Sequence, residues 1–135
     1  MRIMLILIFI ASINAMTVEE AAKTLVDATS LQGMYIGDSI EISPNFAALK
    51  IISSSSIDLQ KLYEVAGIPG KLHILCIFYN SDKEKYNILS TALIKDNPNI
   101  EMPYKMGCCP GKMIITKLID QYISNGELPK LLIDK

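Results

Sequence analysis

Apolar residues along this chain change their spacing from one stretch to the next, and those changes divide it into elements. Val18, Ala21, Ala22, Leu25 and Val26 recur at helical intervals, with Glu19, Glu20, Lys23 and Asp27 opposite them. Thr17 and Glu20 have capping-box spacing, so the helix should begin there. From Met34 to Ser43 the period falls to two, with Ile36, Ile40 and Ile42 facing one way and Ser39, Glu41 and Ser43 the other, which predicts a strand. Ser43-Pro44 then signals a helix start, and Phe46, Leu49 and Ile52 form its buried stripe. Four serines, Ser53 to Ser56, make a corner before Leu59, Leu62 and Ala66 resume helical spacing. Gly67-Ile68-Pro69-Gly70 reads as the stop.

Leu72 to Tyr79 is almost wholly apolar and rich in β-formers, so it is expected to be a strand covered on both faces at the centre of the sheet. A second capping box, Ser81-Asp82-Lys83-Glu84, opens a helix with Tyr86, Leu89 and Leu93 inward that ends in the turn cluster Asp96-Asn97-Pro98-Asn99. Ile100 to Met102 fits a short strand with Pro103 at its margin. Pro110 to Ser124 predicts a helix whose face carries Ile114, Ile115, Leu118, Ile119, Tyr122 and Ile123. Asn125-Gly126 closes it, and Leu131-Leu132-Ile133 predicts a final strand. This alternation implies an α/β fold: a small, mainly parallel sheet of about four strands with helices on its faces, the layering of thioredoxin-like or flavodoxin-like domains.

The first residues change the picture of where the protein works. Arg2, an apolar run from Ile3 to Ile10 and Ala15 at the end of a small-residue stretch make residues 1–15 a secretory signal peptide, too short to span a bilayer. Residues 16–135 then form one α/β domain, exported to a periplasm or secreted, and no membrane association is expected after cleavage. Half of the 135 residues are apolar and 20% are charged, so a packed core is expected rather than disorder. The net charge of −1, with the lysines dispersed, leaves no electrostatic footprint for nucleic acid.

Export also changes how the cysteines read, because disulfides persist in oxidising compartments. Cys76, Cys108 and Cys109 are an odd number, so one thiol is left for a partner or for reactivity. A bridge from Cys76 to either neighbour would close a loop of about 32 residues, worth on the order of 3 to 4 kcal/mol. A bridge between Cys108 and Cys109 is disfavoured, because adjacent α-carbons lie about 3.8 Å apart and disulfides usually need roughly 4.4 to 6.8 Å.

The stretch Tyr104 to Lys112 gathers the chemistry. With Pro110 at the first helical position, Cys109 would stand at the N-cap, where the helix dipole and Lys112 lower a thiol pKa. In a thiol–disulfide redox reading Cys109 attacks, Cys108 or Cys76 resolves, and Lys112 stabilises the thiolate. A parallel sheet would add Ser43 and Asn45, then Asn80, Ser81 and Asp82, to one rim with Tyr104, Gly107 and Gly111. The alternative is a noncatalytic exported binding or assembly module for a protein partner, in which the glycines only allow a turn and the cysteines pack or crosslink. A phosphate loop is excluded by its spacing and the absent hydroxyl, and three thiols without a fourth ligand make no metal site, so no cofactor is expected. His73 has no second histidine and no carboxylate cluster, and reads as structural.

Overall fold

The computed structural model describes residues 16–36, 41–107 and 109–133. The predicted signal peptide lies outside them. Helix α1 spans Val18–Val26, and the Thr17 hydroxyl accepts from the Glu20 N–H at 3.1 Å, as its capping box predicts. Strand β1 covers Leu31–Ile36, so it starts before Met34, and Ser43 lies beyond it as the N-cap of α2, Pro44–Ser53. Helix α3, Leu59–Val65, is capped by Asp58.

The central element differs from the expected strand. Residues Ile68–Ser81 form a helix, α4, and Leu72 through Phe78 are all buried within it. A helix apolar on every side must be enclosed, and α1, α2, α3, β1 and the later segments Lys83–Asp96, Ile119–Ile123 and Glu127–Ile133 pack around α4. Gly67 and Pro69 do not end α3 but start this helix, with Gly67 at the N-cap and Pro69 in the first turn, where its missing N–H leaves no bond unmade. Helix α5, Lys83–Asp96, is capped by Asp82, whose carboxylate accepts from the Lys85 N–H.

Strand β2 is longer than expected, Glu101–Gly107, and runs through Pro103. Cys109–Ile114, expected to begin a helix, instead forms strand β3. Helix α6 starts only at Ile115 and runs to Leu118, passing directly into a π-helical turn, Ile119–Ile123, that closes with Ser124 N–H donating to the Ile119 carbonyl at 2.8 Å. The expected last strand is a helix, α7, Glu127–Ile133.

The sheet has three strands in the order β1-β2-β3, β1 parallel to β2 and β2 antiparallel to β3. The fold is therefore α/β with helices packed on a small mixed sheet, and the mainly parallel sheet of about four strands is corrected on both size and direction. Its shape follows from the two regions read in the wrong period: a central strand became the core helix, and a helix start became a hairpin.

Where α4 begins, it crosses the end of α1 at backbone contact. Gly67 N–H reaches the Val26 carbonyl at 3.4 Å, and a β-carbon on Gly70 would run into the Leu25 carbonyl oxygen. Gly70→Ala should therefore force the two helices apart and destabilise the protein by about 2–3 kcal/mol, read as a lowered urea midpoint at unchanged m-value.

Candidate functional site

The predicted chemistry of Tyr104 to Lys112 falls on the β2–β3 hairpin. Along β2, Met102, Tyr104 and Met106 are half-buried while Glu101 and Lys105 face water, the alternation of a strand with one covered face. Met106 pairs with Cys109, and Gly107, the last residue of β2, takes φ +58°, a left-handed conformation that glycine adopts without penalty. Cys108 lies outside the described residues. The backbone of Cys109 opens β3, six residues before the first helical residue, Ile115. The expected N-cap setting for a lowered thiol pKa is thus replaced by a strand.

Tyr104 stands opposite Gly111, and the absent side chain there is what admits its ring: a β-carbon on Gly111 would lie 2.8 Å from the Tyr104 hydroxyl and 3.0 Å from Cζ. On its other side the ring meets Tyr122 of the π-turn, centroid to centroid 5.9 Å. Burial, and then the neighbouring Tyr104 and Glu127, hold the Tyr122 hydroxyl above its ordinary pKa, so it stays a neutral phenol at physiological pH.

Beside the hairpin lies a cleft of about 260 Å³. Gly33, Met34 and Tyr35 of β1, Met106 and Gly107 of β2, Tyr122 of the π-turn, and Leu128 and Leu131 of α7 line it. Because β1 and β2 are parallel and Ile36 pairs with Gly107, both strands end together at this cleft. Glu127 supplies the single carboxylate on its lining, and the thioethers of Met34 and Met106 make the lining deformable. These cleft residues, apart from Gly107, were not singled out from the sequence. The alternation from Glu101 to Met106, followed by a glycine two residues before a second alternating run, was the signal that would have found them.

The remaining predicted site residues do not join this rim. Asn80 and Asp82 stand at the α4–α5 corner, where Asn80 Nδ2 donates to the Pro129 carbonyl at 2.8 Å and Asp82 serves as a helix cap. Ser43 is buried beside β1, its N–H donating to the Met34 carbonyl at 2.8 Å and its hydroxyl to the Gly33 carbonyl at 2.6 Å. Lys112 is exposed on β3, opposite Pro103. Cys76 is a free thiol inside α4, fully buried, with Sγ donating to the Leu72 carbonyl at 3.7 Å. Burial pushes its pKa far up, and an inert thiol of this kind does not resolve a mixed disulfide. Cys76, a possible disulfide partner for the hairpin, is therefore not bridged to it.

His73 is structural, as expected: fully buried, with Nδ1 donating to the Pro69 carbonyl at 2.8 Å and Nε2 accepting from the Gln32 N–H at 3.1 Å. With both nitrogens and the Ser43 hydroxyl committed to backbone groups, the pair forms no nucleophile and base. Among the described residues no cluster of three metal-ligating side chains occurs, and no helix is long and apolar enough to cross a membrane. The chain matches no protein-family model, no curated protein and no solved structure.

Two outcomes test this site. Gly111→Ala should push Tyr104 off its partner and cost about 1–2 kcal/mol in urea unfolding, while Gly107→Ala, which meets no atom, should cost only the conformational strain of its positive φ. In native protein treated with iodoacetamide, peptide mass spectrometry should find Cys76 unmodified, and modified only after unfolding.

Proposed function

We propose that this protein is an exported, noncatalytic binding module that holds a protein partner at the end of its sheet. The observation that carries the reading is the mostly apolar cleft where β1 and β2 end, lined by two methionines and two tyrosines. Binding sites are typically concave and mostly apolar with a few polar groups to fix orientation, and Glu127 is placed to fill that role. Nucleophile activation has no comparable support, since the helix dipole is remote from Cys109 and Cys76 is sealed in the core.

A second reading keeps the thiols, and the buried, free state of Cys76 favours it: Cys108 and Cys109 then have only each other or another molecule as partners. In thiol–disulfide exchange the Cys109 thiolate would attack a partner disulfide and release one partner thiol. Cys108 would displace the second, leaving a vicinal bridge that is strained and easily reduced.

Three measurements separate these readings. The secreted chain should have the mass of residues 16–135, and an uncleaved mass would remove export from the proposal. An apolar dye such as bis-ANS should bind the native protein and be displaced in Leu131→Glu but not in Cys108→Ser/Cys109→Ser. Neither the parent nor the cysteine variant should accelerate insulin reduction by glutathione. Acceleration that vanishes with the cysteines would replace the binding module by the exchange reading.

A further inference from the structure

The outer edge of β1, which no strand covers among the described residues, is closed by side chains and a turn. Asn45 Nδ2 donates to the Ser30 carbonyl at 3.0 Å, the Gln32 N–H donates to His73 Nε2 at 3.1 Å, and the Ser43 N–H donates to the Met34 carbonyl at 2.8 Å. Gln32 binds twice, since its Oε1 also accepts from the Asn45 N–H at 3.0 Å, in the first turn of α2. Ser30, Ser43, Asn45 and His73 are all buried. Of the groups on this seam, only one can change its hydrogen-bonding role with pH. With Nδ1 carrying the proton toward Pro69, Nε2 is an acceptor, and a proton added there would set N–H against N–H.

We propose that His73 is an acid-sensitive latch: protonation at Nε2 cancels its bond to Gln32 and releases the edge of β1, together with the Ser43–Asn45 turn, from a core that stays folded.

The surroundings offer the imidazolium nothing in exchange. Every carboxylate on the elements packed against α4 is exposed: Glu19 and Glu20 on α1, Glu64 on α3, Glu84 and Asp96 on α5, Asp120 on the π-turn and Glu127 on α7. The lysines of those elements are exposed, apart from the half-buried Lys50 and Lys85. On α4 itself Lys71 turns outward to the Ala66 carbonyl and the Tyr63 ring, and Cys76 is a protonated thiol. Burial accordingly lowers the His73 pKa from 6.5 to about 4, outweighing the Pro69 carbonyl bond that favours the protonated ring. A folded-state pKa held below the unfolded one makes the latch fully effective above about pH 6.5 and progressively weaker as pH falls toward about 4. The chain has one histidine, so between pH 6.5 and 5 no other side chain of ordinary pKa competes.

Amide hydrogen exchange of the full mature chain, read by NMR as protection factors at pH 7 and pH 5, tests this. For Gln32 and Asn45, protection should fall by about 20-fold through an opening with little urea dependence, while Leu75 in α4, which exchanges only when the core unfolds, stays more protected and exchanges with strong urea dependence. In His73→Gln, an amide oxygen can accept from Gln32 at either pH, and the fall should vanish. Unchanged protection at Gln32, a Gln32 opening as urea-dependent as that of Leu75, or the same loss in His73→Gln would each overturn the latch. Should the variant fail to fold, the urea dependence of exchange at Gln32 against Leu75 in the parent protein decides alone.

Discussion

Enclosure of α4 is the constraint on which the rest of this structure depends. From Leu72 to Phe78 it has no polar face, so it is stable only inside a shell, and the other helices and β1 supply one. The shell explains where polarity is allowed. His73 and Cys76 are the two side chains of that stretch with polar atoms. Each returns a bond to a carbonyl one turn back in the same helix, Pro69 and Leu72 respectively. His73 alone also reaches out, to Gln32 of β1, and so the helix that fills the core also fixes the position of the sheet.

How much of this the sequence disclosed depends on whether the period could be resolved. The amphipathic segments were legible: α1 with its Thr17 cap, α2 behind Ser43-Pro44, α3, and α5 behind Asp82 all sit where their apolar spacing puts them. Leu72 to Tyr79 was not, because a run without polar positions has no period, and a buried helix and a buried strand then look alike. Length was the available arbiter. Taking Pro69 as a first-turn residue rather than a stop makes the run 14 residues, beyond an ordinary strand. The same ambiguity about proline misplaced the candidate site. Pro110 suits the start of a helix, but it equally suits an edge strand, and the pairing of Tyr104 with Gly111 selects the second.

The two errors are linked through the sheet. A central strand at 72–79 would have provided a partner on each side and a rim shared by Ser43, Asn80 and the Cys-Cys loop. With α4 in its place, the parallel pair is β1 with β2, and the crossover between them is the whole helical segment from α2 to α5. The residues of that crossover, Asn80 and Asp82 among them, are used to tie helices to one another. What remains at the strand ends is the cleft walled by Tyr35 and Tyr122.

A sheet of three strands has two edges, and this one closes them by different means. At β1 the outward groups of Ser30, Gln32 and Met34 are each bonded, to Asn45, His73 and Ser43, so that edge is internal. At β3 the strand carries Pro110, which has no N–H to offer a neighbour, and Lys112, whose exposed charge resists burial under another strand. The β3 solution rests on a donor that proline lacks, which no proton can change. The β1 solution differs, because its middle bond ends on an imidazole nitrogen. Acid therefore acts on the sheet from one side only, at the strand that the core helix itself holds in place.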